Sequence, residues 1–129
     1  AGANLSVPIG LVILRKCYGL GGQSMCGGSL KAAAFAVAWP TGELGGMGLE
    51  GAVRLGYRKE LEAADDPAAL FDELLAAEYE KGKAVSTAQV FEIDDVIDPA
   101  DTRRWIAASF APAEVGVRAG ITRPFVDTW

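Results

Sequence analysis

Side chains that move protons or hold metals are scarce in this chain. It has no histidine and only two cysteines, Cys17 and Cys26. With eight intervening residues and no imidazole to join them, these thiols make neither a zinc site nor a Cys-His nucleophile pair, and they read as free, buried sulfhydryls. Asp94-Asp95 offers two adjacent carboxylates without further ligands at suitable spacing, so helix capping suits them better than a divalent ion. What the chain does concentrate is bare backbone. Residues 17–28, CYGLGGQSMCGG, hold five glycines directly after an apolar run. Gly19-Leu20-Gly21-Gly22-Gln23-Ser24 has serine where a dinucleotide fingerprint needs its third glycine, and Gly22-Gln23-Ser24-Met25-Cys26 fails the nucleophile elbow at its last position. Two readings stay open: a tight turn with a closely packed helix behind it, or a strand-to-helix turn whose outward N–H groups stabilise an oxyanion.

The elements that must hold this turn can be traced along the chain. Ile9 to Leu14 is a continuous apolar run with the character of a strand buried on both faces. Gly22 to Leu30 has the length of a short helix rich in small side chains. Ala32 to Trp39 is a second apolar strand, stopped by Pro40. Residues 41–48, TGELGGMG, read as a glycine loop before a helix from Leu49 to Tyr57. Asp65-Asp66-Pro67 is a helix start, with Leu70, Phe71, Leu74, Leu75 and Tyr79 at helical spacing and Lys81-Gly82 at the close. Glu73, Glu78 and Glu80 form its solvated face. Val85 to Val90 fits a helical turn or a short strand, Ile93 to Ile97 a buried segment, and Asp98-Pro99 starts a helix from Ala100 to Phe110. Tyr18, Trp39 and Trp105 read as core residues. Residues 111–129 show no periodicity and suit a tail that wraps a surface or docks on another subunit.

Composition narrows the function classes. A chain of 129 residues has the size of one domain, and half of its residues are hydrophobic, which predicts an apolar surface that meets a partner. Its net charge of −5, without a basic cluster, lacks the footprint of a nucleic-acid binder. No apolar run reaches the length of about 18 residues that spans a membrane, and the start lacks a signal-peptide pattern, so a cytoplasmic location is expected.

Three blocks carry a resemblance. VPIGLVILRKCYGLGGQSM, FAVAWPTGELGGMGLEGAVRL and EYEKGKAVSTAQVFEIDDVIDPADTRRW, covering residues 7–105 in that order, are similar to the C-terminal half of the carboxyltransferase subunit of biotin-dependent acyl-CoA carboxylases. The family pattern runs P-x-x-x-x-L-R-K-x-Y-G-G-A, then A-W-P-T-A-E-I-x-x-M-G-x-x-G-A-V, then I-D-D-V-I-x-P-x-x-T-R. The resemblance implies an α/β, crotonase-like fold of ββα units, truncated and helix-rich towards its C-terminal part. It places residues 1–110 in a carboxyltransferase domain. The implied reaction passes a carboxyl group from carboxybiotin, borne on a partner carrier domain, to the α-carbon of an acyl-CoA, with no metal. Aligning the pattern without a gap puts the biotin-side oxyanion donors on the backbone of Leu20 and Gly21, after Gly19. Leu20 stands where the pattern has glycine, which a backbone donor tolerates at negative φ.

By the same resemblance, Tyr18, Pro40, Thr41 and Glu43 shape the biotin pocket, although a purely structural turn also accounts for Pro40 and Glu43, and Gly45, Gly46 and Met47 line its biotin side. The implied partners are a biotin carboxyl carrier protein or biotin carboxylase subunit, the N-terminal carboxyltransferase half and further copies of the chain, with no nucleic acid and no membrane. The chain is then expected to be a fragment, inactive alone. The alternatives are a non-catalytic assembly fragment and a biotin-dependent decarboxylase.

Overall fold

The computed structural model describes residues 7–110, so the expectations for residues 111–129 lie outside the described residues. Two ββα units follow one another. The first is β1 (Gly10–Ile13), β2 (Lys16–Tyr18) and α1 (Gly19–Met25). The second is β3 (Phe35–Ala38), β4 (Glu43–Gly45) and α2 (Leu49–Gly56). The units pair strand with strand: β1 runs parallel to β3, Gly10 opposite Phe35, and β2 parallel to β4, Lys16 opposite Glu43. Parallel neighbours require a crossover, and each unit's short helix begins that return. A helical stretch follows, α3 (Arg58–Ala63), α4 (Pro67–Gly82) and α5 (Ala84–Gln89). The two-residue strand β5 (Asp95–Val96) then joins the far side of β3, giving the sheet order β1-β3-β5, and α6 (Thr102–Phe110) completes the described chain.

The central position of β3 explains its sequence. All four of its residues are buried. Ala36 and Ala38 face a cluster with Ile13, Leu44, Ala84 and Ile93, while Phe35 and Val37 face Ile97, Trp39 and Trp105 on the other side. A strand covered on both faces has no polar alternation, which is why FAVA reads as an unbroken apolar run. β1 carries the same kind of sequence but has one strand neighbour only, and just Ile13 of it is buried while Leu14 beyond it is exposed. The expected burial of residues 9–14 on both faces is therefore not met among the described residues.

Several boundaries move for local reasons. The strand expected from Ala32 to Trp39 shortens to Phe35–Ala38, because Leu30–Ala32 closes into a 3-10 turn with the Ser29 hydroxyl accepting the Lys31 N–H at 3.1 Å. The short helix expected at Gly22 to Leu30 begins instead at Gly19 and ends at Met25, before Gly27 and Gly28 adopt positive φ. The glycine loop at residues 41–48 contains a strand: Glu43–Gly45 pairs with β2, supplying hydrogen bonds that alternation over three residues could not announce. Asp94 does not cap a helix; its carboxylate accepts the N–H of Ala36 in β3 at 2.7 Å, and Asp95 accepts from Val96 at 2.8 Å. The α4 start is as read, with the Asp66 carboxylate accepting from Ala68 and Ala69 and Pro67 first in the helix. Val85 to Val90 resolves to helix, and the last helix starts at Thr102 after a 3-10 turn capped by Asp98.

Candidate functional site

Because β2 and β4 pair with Tyr18 opposite Gly45, the chain leaves both strands at the same level and makes two turns side by side, one into α1 and one towards α2. The turns touch: a Cβ on Gly19 would lie 3.1 Å from the Gly46 carbonyl oxygen. Gly19 has φ +58°, in the left-handed region that glycine occupies without strain. Leu20 is not among the residues of positive φ, so its side chain is compatible with the turn. The sharp conformational demand falls on Gly19, and the departure from glycine at position 20 is accommodated.

A cavity of about 440 Å³ opens against these turns. Gly19, Leu20, Gly22 and Gln23 form one wall, Gly45 and Gly46 another, and Cys17, Leu30 and Leu44 add apolar surface. No side chain caps the N-terminus of α1, and none caps α2. The first N–H groups of a helix have no partner within it, so the cavity is walled by backbone donors at the positive end of a helix. Close packing holds α1 there: a Cβ on Gly22 would fall 2.7 Å from the Cys17 sulfur.

The sequence-predicted residues divide into three places. Gly19 and Leu20 line this cavity. Gly21 and Tyr18 line a second hollow of about 580 Å³ along the β1–β2 connection, where a Cβ on Gly21 would meet nothing within 4 Å. Pro40, Thr41 and Glu43 line neither. Thr41 donates its hydroxyl hydrogen to the Leu14 carbonyl at 2.6 Å, tying the two ββ connections together, and Pro40 is exposed in the same turn. Glu43 accepts from the Tyr18 hydroxyl at 2.9 Å. Gly45 and Gly46 line the cavity, whereas Met47 does not. Tyr18 and Glu43 thus clamp β2 to β4 just below the turns.

Tyr18 and Cys17 keep their protons at neutral pH. Burial, and secondarily the Glu43 carboxylate, push the Tyr18 phenol well above the usual tyrosine range. Burial and the neighbouring Cys26 push the Cys17 thiol up, the opposite of what a nucleophilic thiolate needs. Both cysteines are free; Cys26 is fully buried and donates to the Gln23 carbonyl, while Cys17 is only half-buried. Sequence reasoning missed the far wall, formed by Lys81, Thr87, Val90 and Glu92 at the ends of α4 and α5. The tertiary path of α4 and α5 brings them there, and no local motif marks them. Lys81 is held cationic by Glu78, whose carboxylate lies 2.7 Å from its ammonium.

The model of the carboxyl transferase domain matches residues 1–123. The chain belongs to the carboxyl transferase domain family. It is 45% identical over 111 residues to the methylmalonyl-CoA carboxyltransferase 12S subunit of Propionibacterium freudenreichii subsp. shermanii, a match covering 83% of the chain and 20% of that protein. It is 38% identical over 110 residues to the methylmalonyl-CoA decarboxylase subunit alpha of Propionigenium modestum, covering 84% of the chain and 21% of that protein.

Among solved structures, a single-chain, multi-domain long-chain acyl-CoA carboxylase matches with TM-score 0.69 and 59% identity, over 83% of the chain and 10% of its own. The transcarboxylase 12S structure, described as a hexamer with methylmalonyl-CoA bound, matches with TM-score 0.77 and 39% identity, over 85% of the chain and 21% of its own. The carboxyl transferase chain therefore spans about one fifth of the length of the curated relatives it matches. Its α/β architecture of small parallel sheets with many helices accompanies these carboxyltransferase neighbours. Among the described residues no helix is long and apolar enough to cross a membrane, and no group of three potential metal ligands occurs.

Proposed function

We propose that this chain forms the biotin-side half of an acyl-CoA carboxyltransferase of crotonase-like ββα fold, working with an N-terminal half that holds the acyl-CoA. The supporting observation is the uncapped start of α1, where Leu20, in the first turn, lines a cavity of about 440 Å³ and no side chain caps the helix. The cavity suits a small bicyclic ring: it lies in the size range of small-molecule sites, its walls are mostly apolar, and glycine backbone at Gly19, Gly22, Gly45 and Gly46 lines it beside the polar side chains of Gln23, Lys81, Thr87 and Glu92. Biotin, when bound on its carrier, supplies the carboxyl group that passes to the α-carbon of the acyl-CoA. The residues of this chain contribute fixed dipoles. Donors at Leu20 and Gly21 meet the negative charge that grows on the ureido oxygen, and Gly19 sets their direction through its left-handed φ. Tyr18 and Glu43 hold β2 and β4 in register, Pro40 and Thr41 fix the neighbouring turn, and none needs to change protonation state.

The test is Leu20→Pro, which removes one backbone donor at a first-turn position where proline is tolerated. With the N-terminal half present, transfer from carboxybiotin to acetyl- or propionyl-CoA should fall roughly 10²- to 10³-fold, with the circular dichroism spectrum unchanged. An unchanged rate would remove the oxyanion role from Leu20. Activity of the 129-residue chain alone would contradict the need for a second half. The decarboxylase among the relatives keeps a reverse direction in play, which the same assay run from a carboxylated acyl-CoA distinguishes.

A further inference from the structure

Phe91 is the one non-glycine residue of positive φ among the described residues, at +60°. It ends α5 in a Schellman arrangement: the Phe91 N–H donates to the Ala88 carbonyl at 2.9 Å and the Glu92 N–H to the Thr87 carbonyl at 3.2 Å. That position favours glycine, because a left-handed conformation crowds the Cβ of any L residue. Phenylalanine therefore carries strain there, and its ring recovers nothing by burial, being 81% exposed. The residues on either side of it, Val90 and Glu92, line the cavity described above. Leu20, which lines the same cavity, is 79% exposed, and Val90 is 67% exposed. Leu20 and Val90 thus give the cavity exposed apolar surface beside the charged Lys81 and Glu92, and the strained Phe91 lies between Val90 and Glu92 in the chain. The turn's hydrogen bonds account for the backbone but do not call for a ring, so an exposed phenylalanine kept where glycine is favoured points to a contact that the ring makes on binding.

We propose that Phe91, with Val90 beside it, is the rim contact for the alkyl arm of biotin where the arm leaves the cavity towards its carrier. This rests on the reading of the cavity as the biotin site. A ring seated against the glycine turns has to trail its chain of methylene groups across the lip, and Phe91, Val90 and Leu20 supply apolar surface along that path. Phe91 then selects for the armed, carrier-borne form over the bare ureido ring.

The experiment titrates the protein with two probes, biocytin, which carries the arm, and 2-imidazolidone, which is the ureido ring alone, and measures thermal midpoints alongside. Phe91→Gly should raise the midpoint by a few degrees, as strain is relieved, while weakening biocytin about 5- to 10-fold and leaving 2-imidazolidone unchanged. Phe91→Ala keeps the backbone strain and loses the ring, so it should weaken biocytin similarly without the rise. Unchanged biocytin affinity in both variants overturns the proposal, while the cavity reading stands if Leu20→Pro still weakens both probes. Binding of neither probe by the wild-type protein overturns both. Reduced self-association with biocytin binding intact would show that the ring serves a contact between chains, and the proposal falls.

Discussion

Gly10 has no room for a side chain. A Cβ there would run into the ring of Phe35, which is itself held between Trp105, with ring centroids 6.1 Å apart, and Phe110, at 5.7 Å. Gly10→Ala is therefore expected to destabilise the protein by about 2 kcal/mol through overpacking, read as a lower urea midpoint at unchanged slope. Tyr18 makes a different kind of prediction. Its phenol donates to Glu43 at 2.9 Å, so Tyr18→Phe should cost about 1 kcal/mol at neutral pH, the partly exposed setting reducing the worth of a charge-assisted bond. Burial and that carboxylate raise the phenol's pKa in the folded state, so folding favours the protonated form. The stabilisation is complete below the unfolded tyrosine pKa of about 10 and is lost as pH rises beyond it. The gap between wild type and Tyr18→Phe, measured by urea unfolding at pH 8 and pH 11, should narrow at the higher value; a gap that widens would contradict the hydrogen bond.

Among elements, α4 shows how a readable local signal becomes stability. Asp66 accepts two first-turn N–H groups, at 3.1 and 3.0 Å, and Asp66→Ala should cost about 1 kcal/mol in urea unfolding, with helix content falling in step near the melting range. The α4 surface pairs, Lys81 with Glu78 and Lys83 with Glu80, are exposed on at least one side and add little. More holds at Arg54, whose guanidinium stands 4.5 Å from the Phe71 ring centroid and fastens α2 to α4. α1 is the opposite case. Its sequence has poor helix propensity and none of its residues is buried, so its place depends on Gly22 lying against Cys17. That dependence explains why composition places the helix start at Gly22, three residues late: the starting point is set by pairing of β2 with β4 and not by any cap. β4 was hidden for the same reason, since three residues inside a glycine-rich loop become a strand only when β2 lies beside them.

On the scale of the whole molecule, apolar surface remains uncovered among the described residues. Leu14, Leu20 and Met25 are exposed, and β1 presents an apolar strand with a single neighbour. Natural edge strands are usually protected by charge, proline or a covering element, and LVI carries none of these. Self-association is therefore expected, and light scattering coupled to size exclusion at micromolar concentration checks it; a clean monomer would refute it.

The order of apolar runs, glycine clusters and the Asp66-Pro67 cap determined the alternation of strands and helices, and three blocks in sequence determined the family. These features are local, or linear along the chain, and so can be read without coordinates. Other outcomes depended on pairing between distant segments. Parallel register brought Gly19 against Gly46 and carried Asp94 to the backbone of Ala36, and the path of α4 and α5 set Val90 and Glu92 against the same cavity as Leu20. The left-handed Phe91 belongs with them. Its conformation follows from the need to end α5 and enter β5 within a few residues, a demand that exists only once β5 has found its place beside β3.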